Sequence, residues 1–218
     1  EMQGHDGIAV HDTVGSNTRV ETLRGDVLRV LPRENEAINE VWLSDRDRFS
    51  YTANDSEQRL TTPMLKINGE WKETDWPTAL ENVSSKLQSI VRQYGGDSIG
   101  ALASPTATLE EFTLLEKIMR GMGSQNMDYR LRQQDFRADG EISAPLLGDS
   151  IASLEETELV MLIGSNIRKE QPGLATRLRK SVRNGNRVIV MNNADFDYAF
   201  PVAHNVVASP SQLVAKLA

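Results

Sequence analysis

Few side chains in this 218-residue sequence have the type and spacing to do chemistry, and the first are two His–Asp pairs, His5-Asp6 and His11-Asp12. Imidazole nitrogens and carboxylate oxygens at such spacing could coordinate a metal. A structural metal site wants four convergent ligands and an ordered second layer of partners, and two pairs near a chain end supply neither, so surface and capping roles are expected for them. The chain has no cysteine, which excludes disulfides, zinc fingers and thiol catalysis. Its three histidines, at 5, 11 and 204, sit in no nucleophile motif, so no Ser/His/Asp constellation can be assembled. The paired acids Glu110-Glu111 and Glu155-Glu156 suit helix starts, where a carboxylate serves the dipole and solvation. Gly164-Ser165-Asn166 follows an apolar strand and precedes a helix, a place where backbone amides can hold a phosphate. No Gly-x-Gly-x-x-Gly or Walker pattern accompanies it, and such a turn uses Gly, Ser and Asn for conformational reasons alone. The basic run Arg177–Arg183 reads equally as a surface for an acidic partner or as a solvated helix face.

The elements that must position these residues change character along the chain. Arg19–Leu23 and Val27–Leu31 are short extended runs joined by Arg24-Gly25-Asp26, a hairpin turn in which Gly25 supplies φ > 0, and Pro32 stops the second strand. Ser44-Asp45-Arg46-Asp47 reads as a capping-box start for a short helical turn, with Ser44 as cap and Asp47 reaching back. Asn68-Gly69 marks a second hairpin, between Thr62–Ile67 and Glu70–Lys72. From Asp75 the period lengthens to about 3.6. Leu80, Val83, Leu87, Ile90, Val91 and Tyr94 form one stripe, and Gly95-Gly96 ends that helix. A strand over Ser98–Ala103, a helix to about Met119 with Leu109, Phe112, Leu115, Ile118 and Met119 inward, and a strand over Asn126–Tyr129 follow. Arg130–Ser153 is irregular and charged. Thr157–Gly164 is apolar on both faces, as strands of a covered parallel sheet are. A helix over Pro172–Asn184, with Arg177, Arg179, Lys180 and Arg183 outward, and strands at Arg187–Met191 and His204–Ala208 complete a right-handed crossover unit.

Several blocks fall in an order that resembles a known family: Asp-x-Val-Gly-Ser-Asn from Asp12, Val-Leu-Pro-Arg-Glu-Asn-Glu from Val30, Asn-Glu-Val-Trp-Leu-Ser-Asp-Arg from Asn39, and Arg59-Leu60-Thr61-x-Pro63-Met64. They are similar to the large iron–sulfur subunit family of NADH:quinone oxidoreductase, respiratory complex I (the G subunit in bacteria), whose main fold is molybdopterin oxidoreductase-like. In molybdopterin oxidoreductases an N-terminal module holds an iron–sulfur cluster on C-x2-C-x3-C and a fourth cysteine about one hairpin later. The resemblance lays those ligand positions on Ala9, Asp12, Ser16 and Ser44, none of which is cysteine. It points to the branch, mitochondrial forms included, that lacks this cluster. It also implies that the Gly164-Ser165-Asn166 loop corresponds to one that touches the pterin cofactor's nucleotide in the enzymes.

The fold expected is therefore α/β. Residues 1–54 form a small β-rich module of the iron–sulfur type without its cluster, and residues 55–218 form a partial molybdopterin-oxidoreductase-like domain with a mainly parallel sheet. Metal ligands, catalytic residues and a resident cofactor are not expected in this segment, while the parent protein's iron–sulfur clusters are expected upstream. The resemblance implies a structural and interaction domain in the peripheral arm, packed against other complex I subunits. The complex acts on the cytoplasmic face of a bacterial inner membrane or on the matrix side in mitochondria. The alternative is a molybdopterin-binding oxidoreductase domain. Net charge is −7, which argues against a nucleic-acid partner held by phosphate contacts. No apolar run reaches the length of a membrane span. The start at Glu1 and the end at Ala218, just after Ser209-Pro210-Ser211 opens a helix, suggest a piece of a longer protein.

Overall fold

Arg24 and Gly25 both have positive φ, 56° and 97°, the backbone of a tight two-residue hairpin turn. They join β2 (Asn17–Leu23) to β3 (Asp26–Pro32) in antiparallel register, with Val20 opposite Val30. A strand that alternation did not foretell, β1 (Met2–Ile8), adds to the other edge of β2. Its Gln, Gly, His and Asp residues leave it exposed on both faces, so it carries no hydrophobic period to read. The computed structural model describes residues 1–130 and 147–218; most of the irregular stretch expected over Arg130–Ser153 lies outside the described residues.

Contacts group the chain into two compact units, Glu1–Asp55 with Ala144–Ala218, and Ser56–Ser143. The first unit contains the three-stranded module, α1 (Asp45–Phe49) and a parallel sheet of order β10-β9-β8. Those strands are β8 (Leu159–Ile163), β9 (Arg187–Asn192) and β10 (His204–Val207). The short α4 (Ile167–Glu170) and the longer α5 (Pro172–Arg183) connect β8 to β9, and α6 (Pro210–Leu217) follows β10. Ala175 and Leu178 of α5 pack with Ile167, Val188, Val190 and Tyr198 to form the core, Leu178 being 2% exposed. Burying such a leucine contributes about 1.5–3 kcal/mol. Only one face of β8 joins this core. Leu159, Met161 and Ile163 remain 45%, 40% and 53% exposed, so the expectation of a strand buried on both faces is corrected. Val160 and Leu162 alternate with them and point to α5's side.

In the second unit, Asn68 (φ 52°) and Gly69 (φ 88°) turn β4 (Met64–Ile67) into β5 (Glu70–Glu73). Asp75 caps α2 (Trp76–Tyr94) by accepting the Thr78 amide at 2.8 Å, and Gly95 ends it. Parallel β6 (Gly100–Leu102) and β7 (Asn126–Asp128) flank α3 (Leu109–Gly121), which begins with a Thr108/Glu111 capping box. The apolar stripe of α2 is not buried here: Leu80, Val83 and Tyr94 are 60%, 50% and 66% exposed. Among the described residues, two two-stranded sheets and one other helix give this unit too little structure to cover that face.

Candidate functional site: an oxygen-lined cavity

Three of the four positions that the resemblance assigns to cluster ligands meet at one cavity. The Ala9 amide donates to the Ser16 carbonyl at 2.8 Å, closing the loop that follows β1. Within that loop Asp12 folds back, its Oδ1 accepting the Val14 amide at 2.8 Å. Ser44 caps α1, its Oγ accepting the Asp47 amide at 3.2 Å and donating to Asp47 Oδ2 at 2.5 Å. Asp47 therefore takes the Ser44 hydroxyl rather than closing a reciprocal box, and its Oδ1 accepts the His11 amide at 2.9 Å. Asp12, Ser16 and Ser44 line one cavity of about 80 Å³ with Asn39, Trp42 and Gly173. Ala9 stays off its wall and reaches it only through main chain. Asp12 and Ser16 are 5% and 2% exposed. Burial pushes the Asp12 carboxyl above its ordinary range; the Val14 amide opposes this, nearby Asp47 adds to it, and Arg46 opposes it.

A buried cation network closes the far wall. Asn39 donates through Nδ2 to the carbonyls of Arg33, Glu40 and Trp42 and accepts the Asn17 amide at 2.9 Å, which fixes residues 33–42 against β2. Glu40 adopts a left-handed backbone, φ 50°, a conformation that costs a non-glycine residue about 1–2 kcal/mol. Its carboxylate meets Lys180, whose ammonium is held above the ordinary lysine value, first by that Glu40 hydrogen bond. Arg177 bonds Glu155 at 2.5 Å and donates to the carbonyls of Glu36 and Ile38. From the module side, Arg46 donates to the Lys169 and Glu170 carbonyls at the end of α4, at 2.8 and 2.9 Å. The expected outward orientation of Arg177 is thus corrected: it is 5% exposed, while Arg179 and Arg183 do face solvent. Spacing held the missed signal. Arg177 lies on the helical face of Leu174 and Ser181, three and four residues away, where a charge must find buried partners.

Neither cofactor of the wider family fits these residues. Iron–sulfur clusters are bound by thiolates with occasional imidazole. The cavity offers the Asp12 and Glu40 carboxylates, hydroxyls, the Asn39 amide and the Arg177 guanidinium, and the chain holds no cysteine. In the other loop, Gly164 has φ 69°, the Ser165 hydroxyl donates to Glu170 at 2.8 Å, and the Ser165 carbonyl accepts Asn192 Nδ2 at 3.0 Å. Ser165 is thereby committed internally, and Glu170 brings negative charge to a loop that would have to bind phosphate. Among the described residues, Asn166 Oδ1 is the buried side-chain acceptor of that loop left without a partner. The two histidine–aspartate pairs do not converge; among the described residues no group of three or more acids or histidines is placed to hold a metal.

The Molybdopterin oxidoreductase family matches residues 59–215, and the family described as NADH-ubiquinone oxidoreductase NDSU1/NuoG-like, 4Fe-4S domain, matches residues 2–52. The G subunit of NADH-quinone oxidoreductase from Rickettsia felis is 36% identical over 85% of this chain and 27% of its own length. The NADH-ubiquinone oxidoreductase 75 kDa subunit of Reclinomonas americana is 34% identical over 85% of this chain and 28% of its own. This chain therefore spans about a quarter of the length of the curated relatives it matches. Acetylene hydratase from Pelobacter acetylenicus shares the fold at TM-score 0.65 and 14% identity, over 89% of this chain and 28% of that one. By the extent of the match over residues 59–215, the chain belongs to the molybdopterin oxidoreductase family, and its relatives at 34–37% identity are G subunits of NADH-quinone oxidoreductase.

Proposed function

We propose that this chain is a segment of the large iron–sulfur subunit of an NADH:quinone oxidoreductase, serving as a structural and interaction domain of the peripheral arm. The observation that carries the reading is the cavity at Asp12, Ser16 and Ser44, positions the resemblance gives to cluster ligands, which offers hard oxygen groups beside a cation network that holds the surrounding loops in place. Such a site positions backbone but has no ligand set for electron transfer. On this reading residues 1–54 are the cluster-type module and 55–218 the partial molybdopterin-oxidoreductase-like domain. Electrons move through iron–sulfur clusters held elsewhere in the parent protein, which works on the cytoplasmic or matrix side of its membrane. Among the described residues no helix is long and apolar enough to cross a membrane, in keeping with a place in the peripheral arm. The partners are other peripheral-arm subunits, and the exposed stripe of α2 and outer face of β8 offer them apolar surface.

A molybdopterin-binding oxidoreductase is the competing reading, favoured by the match of residues 59–215 to the Molybdopterin oxidoreductase family. The internally bonded Ser165 and the acidic Glu170 weigh against it. The test is purification of the full-length parent protein. Co-purification with other subunits and NADH oxidation by that assembly are expected, whereas a free protein carrying near-equimolar pterin would overturn the proposal.

A further inference from the structure

We propose that the cavity lined by Asp12, Ser16 and Ser44 is a binding site for one hydrated monovalent cation of the potassium class. Asp12 Oδ2 is buried and has no hydrogen-bond partner, although Oδ1 of the same carboxylate is satisfied by Val14. An ionised carboxylate can only accept, so this oxygen needs a donor or a cation, and leaving it bare is costly. The cavity it lines, about 80 Å³, exceeds the roughly 10–15 Å³ that a single water needs on that measure.

Charge decides what the guest must be. Among the described residues, Asp12, Asp47, Glu40 and Glu155 surround the site or connect to its walls, against Arg46, Arg177 and Lys180. Glu40 and Glu155 are paired with Arg177 and Lys180, and Glu40 and Arg177 themselves line the cavity. Arg46 is the cation that acts on Asp12 beside Asp47, so an ionised Asp12, the carboxylate with the bare oxygen, leaves one negative charge there. Water alone would satisfy the acceptor and leave that charge. A divalent ion would overshoot the balance, and the wall offers one free carboxylate oxygen where hard divalent ions take several. Ser16, Ser44 and Asn39 on the same wall provide neutral oxygens of the kind a large monovalent ion accepts. Gly173 keeps the site open: a Cβ there would lie 3.4 Å from Asp12 Oδ2. Asp and Ser in place of thiolates make a hard ligand set rather than a soft-metal one. This inference does not depend on the complex I assignment.

The test uses thallium(I), a potassium mimic with a strong anomalous signal, in crystals of the purified protein, with Asp12→Asn as the control. One anomalous peak in the Asp12/Ser16/Ser44 cavity is expected, and its loss in Asp12→Asn. Melting provides a second measurement that needs no variant. The Tm of the native protein should rise with the logarithm of potassium chloride concentration when choline chloride holds ionic strength constant. A cavity without a thallium peak, a peak that survives in Asp12→Asn, or a Tm indifferent to the exchange of choline for potassium would each overturn the proposal.

Discussion

Replacing Arg177 by methionine keeps an unbranched chain in the same space and removes the charge. Three consequences follow together. Glu155 loses its contact at 2.5 Å, Glu40 loses a partner at 3.9 Å, and the carbonyls of Glu36 and Ile38 lose their donor. Breaking a buried pair by removing one member costs about 3–5 kcal/mol, because the remaining charge stays buried. Lys180, 3.6 Å from Glu155, still neutralises part of it, which places the expected loss near the lower bound, about 3 kcal/mol. Trp42 is the only tryptophan in the unit that holds Arg177, so its fluorescence in a Trp71→Phe/Trp76→Phe background reports that unit alone. With a urea slope of about 1–3 kcal/mol/M, the midpoint should fall by roughly 1–3 M. Adding Glu155→Leu should recover part of the loss, since the stranded carboxylate goes with it. A loss for Arg177→Met below about 1 kcal/mol, the size of a surface pair, would refute the buried network.

Other expectations rest on separate features. The Lys180 ammonium is held above the ordinary lysine value by Glu40, so it stabilises the fold below the unfolded pKa, and that contribution disappears as pH rises through the raised folded pKa. Alkaline unfolding titrations should show this limb in the native protein and lack it in Lys180→Met; identical profiles would contradict the pairing. At Gly96 an added Cβ would collide with the Met122 carbonyl, a backbone atom that cannot swing away. Gly96→Ala should therefore cost about 1–3 kcal/mol by thermal denaturation, and a neutral variant would show the loop yields. Thr108→Ala removes the hydroxyl that accepts the Glu111 amide at 3.2 Å, and should cost about 1 kcal/mol with amide exchange faster in the first turn of α3.

How far the sequence could be read depended on whether an element announces itself locally. The Arg24-Gly25 and Asn68-Gly69 turns, the Asp75 and Ser44 caps and the strand–helix–strand passage through α5 are set by neighbours within a few residues, and all were legible. β1 was not, because a polar strand held at an edge has no alternation to detect. The exposed face of β8 escaped for the opposite reason: an apolar run predicts burial without saying what covers it. Arg177 shows the same limit at the site. Its carbonyl partners Glu36 and Ile38 lie 141 and 139 positions away, where no local pattern reaches. The convergence of Asp12, Ser16 and Ser44 on one cavity rested on the family resemblance, since nothing in their spacing alone would assemble them.

In the proposed function, Asp12, Ser16 and Ser44 stand at cluster-ligand positions with side chains unable to hold a cluster. Anaerobic reconstitution of the purified protein with iron and sulfide, read by EPR after reduction, tests that statement most directly. The protein should emerge colourless and without signal, whereas a stoichiometric cluster signal would contradict it.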